Sequence, residues 1–316
     1  MMAFLYHYIR SMRLYYGFVT ATSVLAGIMT AHATAVPSGH VQPPAVTWAI
    51  LLAVGFLAWG ANQIFSDYLD RKEDAINAPH RPMVTGALAL RPALLLSSLL
   101  MIGFAMASAW VSAWTLPVLL CGAVLNGAYS WLKKVPLLNC FIYACAISCC
   151  ATYGYAGITH GLPDAACLRS LAIRMVPVHC LMCHNSYYKD VVGDRAAGVR
   201  TLQTCFPRRI SLAVSAALFA AHVLCSGTAL LHASAGHASL LFCIALQGLL
   251  LFGLAALLLR CLLARSFHKA TRLNCELCVG MLYTSLLSME SLLLIPEILS
   301  LLSIEALFLW YRDEKE

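Results

Sequence analysis

The chain has 316 residues, of which 61% are hydrophobic and 11% charged, and its mean hydropathy is +0.78. A soluble domain carries about 25% charged residues, so this composition excludes a mainly water-facing surface and requires most of the exterior to meet lipid. The net charge of +7 does not indicate nucleic acid, because the basic residues sit in short segments between apolar runs and form no stretch interleaved with aromatics.

Arg10 and Arg13 precede the first apolar run, which lacks a small-residue cleavage site and is expected to be a membrane helix rather than a removable leader. Apolar runs follow at about 14–33, 45–65, 92–113, 115–132, 137–157, 168–188, 209–231, 238–263 and 275–295. Each is near the roughly 20 residues that a crossing needs. They predict an all-α, polytopic membrane bundle of about nine transmembrane helices, forming a single domain over residues 1–316. After Pro296, residues 297–311 could be an interfacial helix, a tenth crossing or a continuation; Glu290, Glu297 and Glu305 make the tail amphipathic, and continuation of the ninth helix is expected.

Lys and Arg alternate between loops. Arg71, Lys72, Arg81 and Arg91 follow the second run, Lys133 and Lys134 the fourth, Lys189, Arg195 and Arg200 the sixth, and Arg260, Arg265 and Lys269 the eighth. The intervening loops carry almost none. This pattern predicts a cytoplasmic N-terminus, and an odd number of crossings then puts Arg312–Glu316 outside. The expected location is an integral, multi-pass position in a bacterial or archaeal cell membrane.

Most of the fourteen cysteines lie inside apolar runs, as Cys145, Cys149 and Cys150 do, where cysteine behaves as a small hydrophobe. Cys180-Leu-Met-Cys183-His184 matches a haem-attachment spacing but sits at the cytoplasmic end of a run, the wrong side for that chemistry. Cys275 and Cys278 lack a second pair to complete a zinc site. Packing is the expected role for all of them.

Two segments carry the chemistry. Asn62, Ser66, Asp70 and Asp74 are spaced four apart, and Asp67 is three before Asp70; if the second helix continues to Asn77 they share one face. Clustered carboxylates repel, and Mg2+, which takes oxygen ligands from one or two carboxylates, water and substrate phosphates, would offset that repulsion. A solvated helix end is the plainer alternative. Asp190 and Asp194 repeat the spacing of four after the sixth helix, with Lys189 and Arg195 beside them, and carboxylates at the rim of a membrane bundle are functional candidates by default. Two such arrays on one side could hold Mg2+ and a diphosphate between them. Tyr129 and Lys133, also four apart, end the fourth helix on the same side; Lys133 could meet phosphate or simply obey the charge rule.

At these residues the sequence resembles the UbiA superfamily of intramembrane prenyltransferases. Ser66-Asp67-x-x-Asp70-x-x-x-Asp74 aligns with the family's first motif, and Asp190-x-x-x-Asp194 followed by Gly198, Thr201 and Leu202 aligns with its second. Tyr129 to Pro136 resembles its Tyr-x-x-x-Lys segment. The resemblance covers about residues 5–295. It departs at Ser66, where the family has Asn; Asn62, one turn earlier, could supply that amide. Asn77-x-Pro79-x-Arg81-Pro82 resembles the branch containing chlorophyll synthases and archaeal digeranylgeranylglyceryl phosphate synthases.

The resemblance implies Mg2+-dependent transfer of a prenyl group from an isoprenoid diphosphate to a lipophilic or aromatic acceptor. Asp67, Asp70, Asp74, Asp190 and Asp194 would bind the metal, and Asn62, Ser66, Arg71, Tyr129, Lys133, Lys189 and Arg195 the substrate. A terpene cyclase of the same superfamily, needing no acceptor, is the alternative. A transporter fits less well, because the acids lie at the rim rather than mid-membrane.

Overall fold

The computed structural model describes residues 2–35, 44–132, 135–136, 138–233, 238–287 and 291–311, and all regular structure among them is helical. An amphipathic helix, α1 (Met2–Ser11), leads through a 3-10 turn at Leu14–Tyr16 into α2 (Gly17–Ala35). The long helices that follow are α3 (Ala45–Leu69), α6 (Leu90–Val111), α7 (Thr115–Leu132), α8 (Leu138–Thr159), α9 (Ala165–Ser186), α12 (Arg208–Ala233), α13 (Ala238–Ala264) and α14 (Phe267–Leu287). Short helices occupy the two charged loops: α4 (Arg71–Asn77) and α5 (Pro82–Thr85) after α3, and α10 (Val191–Ala196) and α11 (Leu202–Cys205) after α9. A last helix, α15, spans Leu294–Trp310.

Seven of these helices, namely α2, α3, α6, α8, α9, α12 and α13, are long and apolar enough to cross a membrane, and α7 has a shorter apolar run over Thr115–Tyr129. With α14 they account for the nine expected segments. The outward faces of α6, α7 and α13 carry exposed Leu95, Leu99, Leu120, Leu249 and Phe252, as helices bathed in lipid do. At the centre, α2 and α8 lie backbone against backbone. A Cβ on Gly27 would collide with the carbonyl of Ala151, and one on Gly154 with that of Val24. Small residues permit this approach, and close packing drives helix association where lipid removes the hydrophobic incentive.

Two expectations are corrected at the C-terminal end. Helix α14 starts at Phe267, eight residues before the expected 275, because its charges are paired: the Arg272 guanidinium donates to Glu305 at 2.6 Å and lies 3.5 Å from Glu276. The tail is also a separate helix rather than a continuation. Helix α15 runs back along α14, with Tyr283 facing Ser300 and Arg272 facing Glu305. Its buried Glu297 accepts a hydrogen bond from Gln247 Nε2 on α13 at 2.8 Å. Tyr311 Oη donates to the Ile9 carbonyl at 3.1 Å, so residue 311 returns to the face where the chain began. Glu290 and Arg312–Glu316 lie outside the described residues.

Candidate functional site

Helix α3 ends at Leu69, and Asp70 breaks the helical geometry with φ −86° and ψ 6°. The i to i−4 bonding nevertheless persists through the break, with Asp70 N donating to Ser66 O at 2.9 Å and Asp74 N to Asp70 O at 2.8 Å. Asn62, Ser66, Asp70 and Asp74 therefore face one cavity, as their spacing predicts. The second segment repeats the device. Asp190 precedes α10, Asp194 N donates to Asp190 O at 2.9 Å, and both side chains line the same cavity. Asn77 ties the segments together, its Oδ1 accepting from Gly193 N at 2.7 Å. A Cβ on residue 193 would strike the Asn77 amide, so glycine there permits the contact.

The cavity holds about 140 Å3 and is lined by five carboxylates (Asp70, Glu73, Asp74, Asp190, Asp194) and three cations (Arg13, Arg81, Lys189). Tyr129 also lines it, its Oη 2.7 Å from Tyr187 Oη on the facing α9 end. Asp74 is buried and ion-paired with Arg81. Burial pushes its carboxyl above the usual aspartate range, and the positive charge of Arg81 works against that shift.

Three expected contributors do not line the cavity. Asp67 is 2% exposed and turned to Arg13, whose Nη2 donates to both carboxylate oxygens at 2.8 and 2.9 Å; Gln63 Nε2 adds a third bond at 2.9 Å. Its oxygens are committed to those donors, which makes it an anchor for Arg13. Arg71 sits over the Tyr68 ring at 5.7 Å, and Arg195 is exposed. Both directly follow a cavity-lining aspartate, and adjacent helical residues diverge by about 100°, so an inward aspartate turns the next residue outward. Lys133 lies outside the described residues.

Sequence reasoning assigned no site role to Arg13, Arg81, Gln63, Asn126, Trp59 or Tyr187. Arg13 comes 54 residues before its partner Asp67, and in sequence it is indistinguishable from a charge that orients the chain. Its left-handed backbone, φ 47°, is unusual for a non-glycine residue and aims the side chain inward.

A second cavity of about 560 Å3 adjoins the first and is walled by apolar side chains of α2, α3, α6, α7 and α8. Trp59, Asn62 and Asn126 line both chambers, and Asn126 Nδ2 donates to Asn62 Oδ1 at 3.3 Å across this throat. Tyr153, hydrogen-bonded to Ser108 at 2.8 Å, belongs to the apolar wall. Among the described residues no three His, Cys, Asp or Glu side chains converge tightly enough to hold a metal by themselves.

The model of the UbiA prenyltransferase family matches residues 21–304. A Halobacterium salinarum protein named digeranylgeranylglyceryl phosphate synthase is 33% identical over 200 residues, spanning 61% of this chain and 69% of its own. Its namesake from Natronomonas pharaonis is 31% identical over 208 residues, 65% and 72% of the two chains. Among solved structures, a UbiA homologue from Aeropyrum pernix superposes with a TM-score of 0.68 at 16% identity, covering 87% of this chain and 98% of that one. Another, from Archaeoglobus fulgidus and bound to DMAPP and Mg2+, superposes with a TM-score of 0.56 at 16% identity and 96% coverage of each. Sequence match and fold agree: this chain is an integral-membrane prenyltransferase and belongs to the UbiA prenyltransferase family.

Proposed function

We propose that the protein transfers a prenyl group from an isoprenoid diphosphate to a hydroxyl of a glyceryl phosphate-type lipid precursor, with Mg2+ as cofactor and the N-terminus cytoplasmic. The observation that carries this reading is the union of a charged chamber and an apolar chamber through one throat. A molecule with a charged head and a long hydrocarbon tail fits both at once.

Five carboxylates against three cations would repel a diphosphate. A divalent cation reverses that balance. Asp70, Asp74, Asp190 and Asp194 supply hard oxygen donors, and diphosphate oxygens and water would complete a shell that Mg2+ rarely takes from protein alone. When bound, Mg2+ supplies charge neutralisation of the leaving diphosphate. Ser66 and Asn62 line the space beside Asp70, Lys189 and Arg81 offer positive charge to phosphate oxygens, and the Tyr129–Tyr187 pair closes the wall. The apolar chamber keeps water from the reacting carbon, which suppresses hydrolysis. The relatives' name, digeranylgeranylglyceryl phosphate synthase, favours an alcohol on a glyceryl phosphate over the aromatic acceptor.

The test is incubation of detergent-purified protein with Mg2+ and labelled geranylgeranyl diphosphate, offered a prenylated glyceryl phosphate, an aromatic acid, a membrane extract or no acceptor. A prenyl ether of the glyceryl phosphate that vanishes in Asp70→Ala and Asp190→Ala is expected. A prenylated aromatic or a cyclised hydrocarbon made without acceptor would overturn the acceptor assignment. No diphosphate release by the wild type would overturn the whole reading.

A further inference from the structure

We propose that Trp59 is a catalytic residue whose indole ring stabilises the positive charge that develops on the allylic carbons as diphosphate departs. The inference rests on the prenyl-transfer reading and deepens it.

Of the described aromatic side chains that line either chamber, only Trp59 lines both. A prenyl diphosphate spanning the two has its head among the aspartates and its tail in the apolar chamber. Its C1–C3 allylic unit must then cross the throat. The other throat residues, Asn62 and Asn126, are bonded to each other and carry no negative charge. Trp59 has the side chain that best stabilises a cation through its ring face.

Two aromatic neighbours hold the ring. Tyr16 packs on it at 5.5 Å with 57° between planes, and Tyr143 at 6.2 Å and 83°; Tyr143 in turn leans on Tyr129 at 5.5 Å. A ring fixed in this way needs no reorganisation when charge appears, the condition under which electrostatic stabilisation is most effective. The ring also carries an unusual polar atom. The indole Nε1–H is buried and has no hydrogen-bond partner among the described residues, whereas a buried tryptophan N–H usually finds one.

In the step itself the C1–O bond breaks and both its electrons leave with the diphosphate. The resulting cation is shared by C1 and C3 beside the ring. A lone pair of the acceptor hydroxyl closes the new C1–O bond, and the hydroxyl proton passes to the departing diphosphate.

The test places mono-, di- and trifluorinated tryptophan site-specifically at position 59 of the full-length protein. Fluorine drains the ring face of electron density while nearly preserving shape. The expected result is a stepwise fall in kcat reaching about 30-fold across the series, with KM for geranylgeranyl diphosphate changed less than twofold. Trp59→Phe, which keeps a weaker face and lacks the N–H, should fall between the extremes with an unchanged melting temperature. A flat kcat across the fluorinated series, or an effect confined to KM, would overturn the assignment while wild-type activity left the prenyl-transfer reading standing. Absence of prenyl transfer by the wild type would overturn both.

Discussion

The two chambers that meet at Trp59 are built on opposite principles. The smaller, about 140 Å3, is made of identities: carboxylates, arginines and amides at fixed spacings. The larger, about 560 Å3, is made of shape, and Ala58, Ala105, Gly122 and Ala123 contribute to it chiefly by being small. Its volume falls within the roughly 300–1,000 Å3 of small-molecule pockets. A substitution in the first should therefore change whether the reaction occurs, and one in the second should change which substrate reacts.

Removing divalent cations should have the largest effect. Chelation is expected to abolish turnover, with readdition of Mg2+ restoring it in a diphosphate-release assay. Asp70→Ala or Asp190→Ala should lower kcat by on the order of 10³-fold, as loss of a charge-stabilising contact does, without altering which chain lengths react. Filling the apolar chamber with Ala105→Phe should do the reverse. We expect kcat/KM for geranylgeranyl diphosphate to fall about tenfold while a shorter prenyl diphosphate is spared, as measured by competition between the two. Equal losses for both lengths would break the distinction between the chambers.

Arg81→Ala sharpens the comparison inside the polar chamber. Asp74 already holds its proton above the usual aspartate range because it is buried, and Arg81 opposes that. Without Arg81 the carboxyl stays protonated to still higher pH, so the acid limb of the kcat/KM profile should move upward. The smallest effect is expected from Asn77→Ala, which removes the bond to Gly193. That hydrogen bond contributes about 1 kcal/mol, to be read as a modest drop in melting temperature and a weakened apparent affinity for Mg2+.

The contrast between chambers also explains what the sequence made legible. Helix number, loop polarity and the faces carrying Asp70, Asp74, Asp190 and Asp194 follow from period and charge, which are local. Asp67 carries the same motif signal as its neighbours, and only the approach of Arg13 from the N-terminal turn distinguishes it. Trp59 looks like any tryptophan in an apolar run until α7 and α8 enclose the space beside it. The early start of α14 was hidden because Arg272 resembles a loop charge unless Glu276 and Glu305 are known to face it. In each case the missing information was a partner distant in the chain.

The return of α15 to the N-terminal face has a consequence for the order in which the protein is made. Tyr15, within the 3-10 turn that Arg13 precedes, packs against Phe308 at 4.2 Å and Tyr311 at 5.3 Å. Such aromatic pairs contribute about 0.5–1.5 kcal/mol each beyond burial. The turn that follows Arg13 is therefore clamped by α15, and a ribosome must deliver residue 311 before that aromatic support exists.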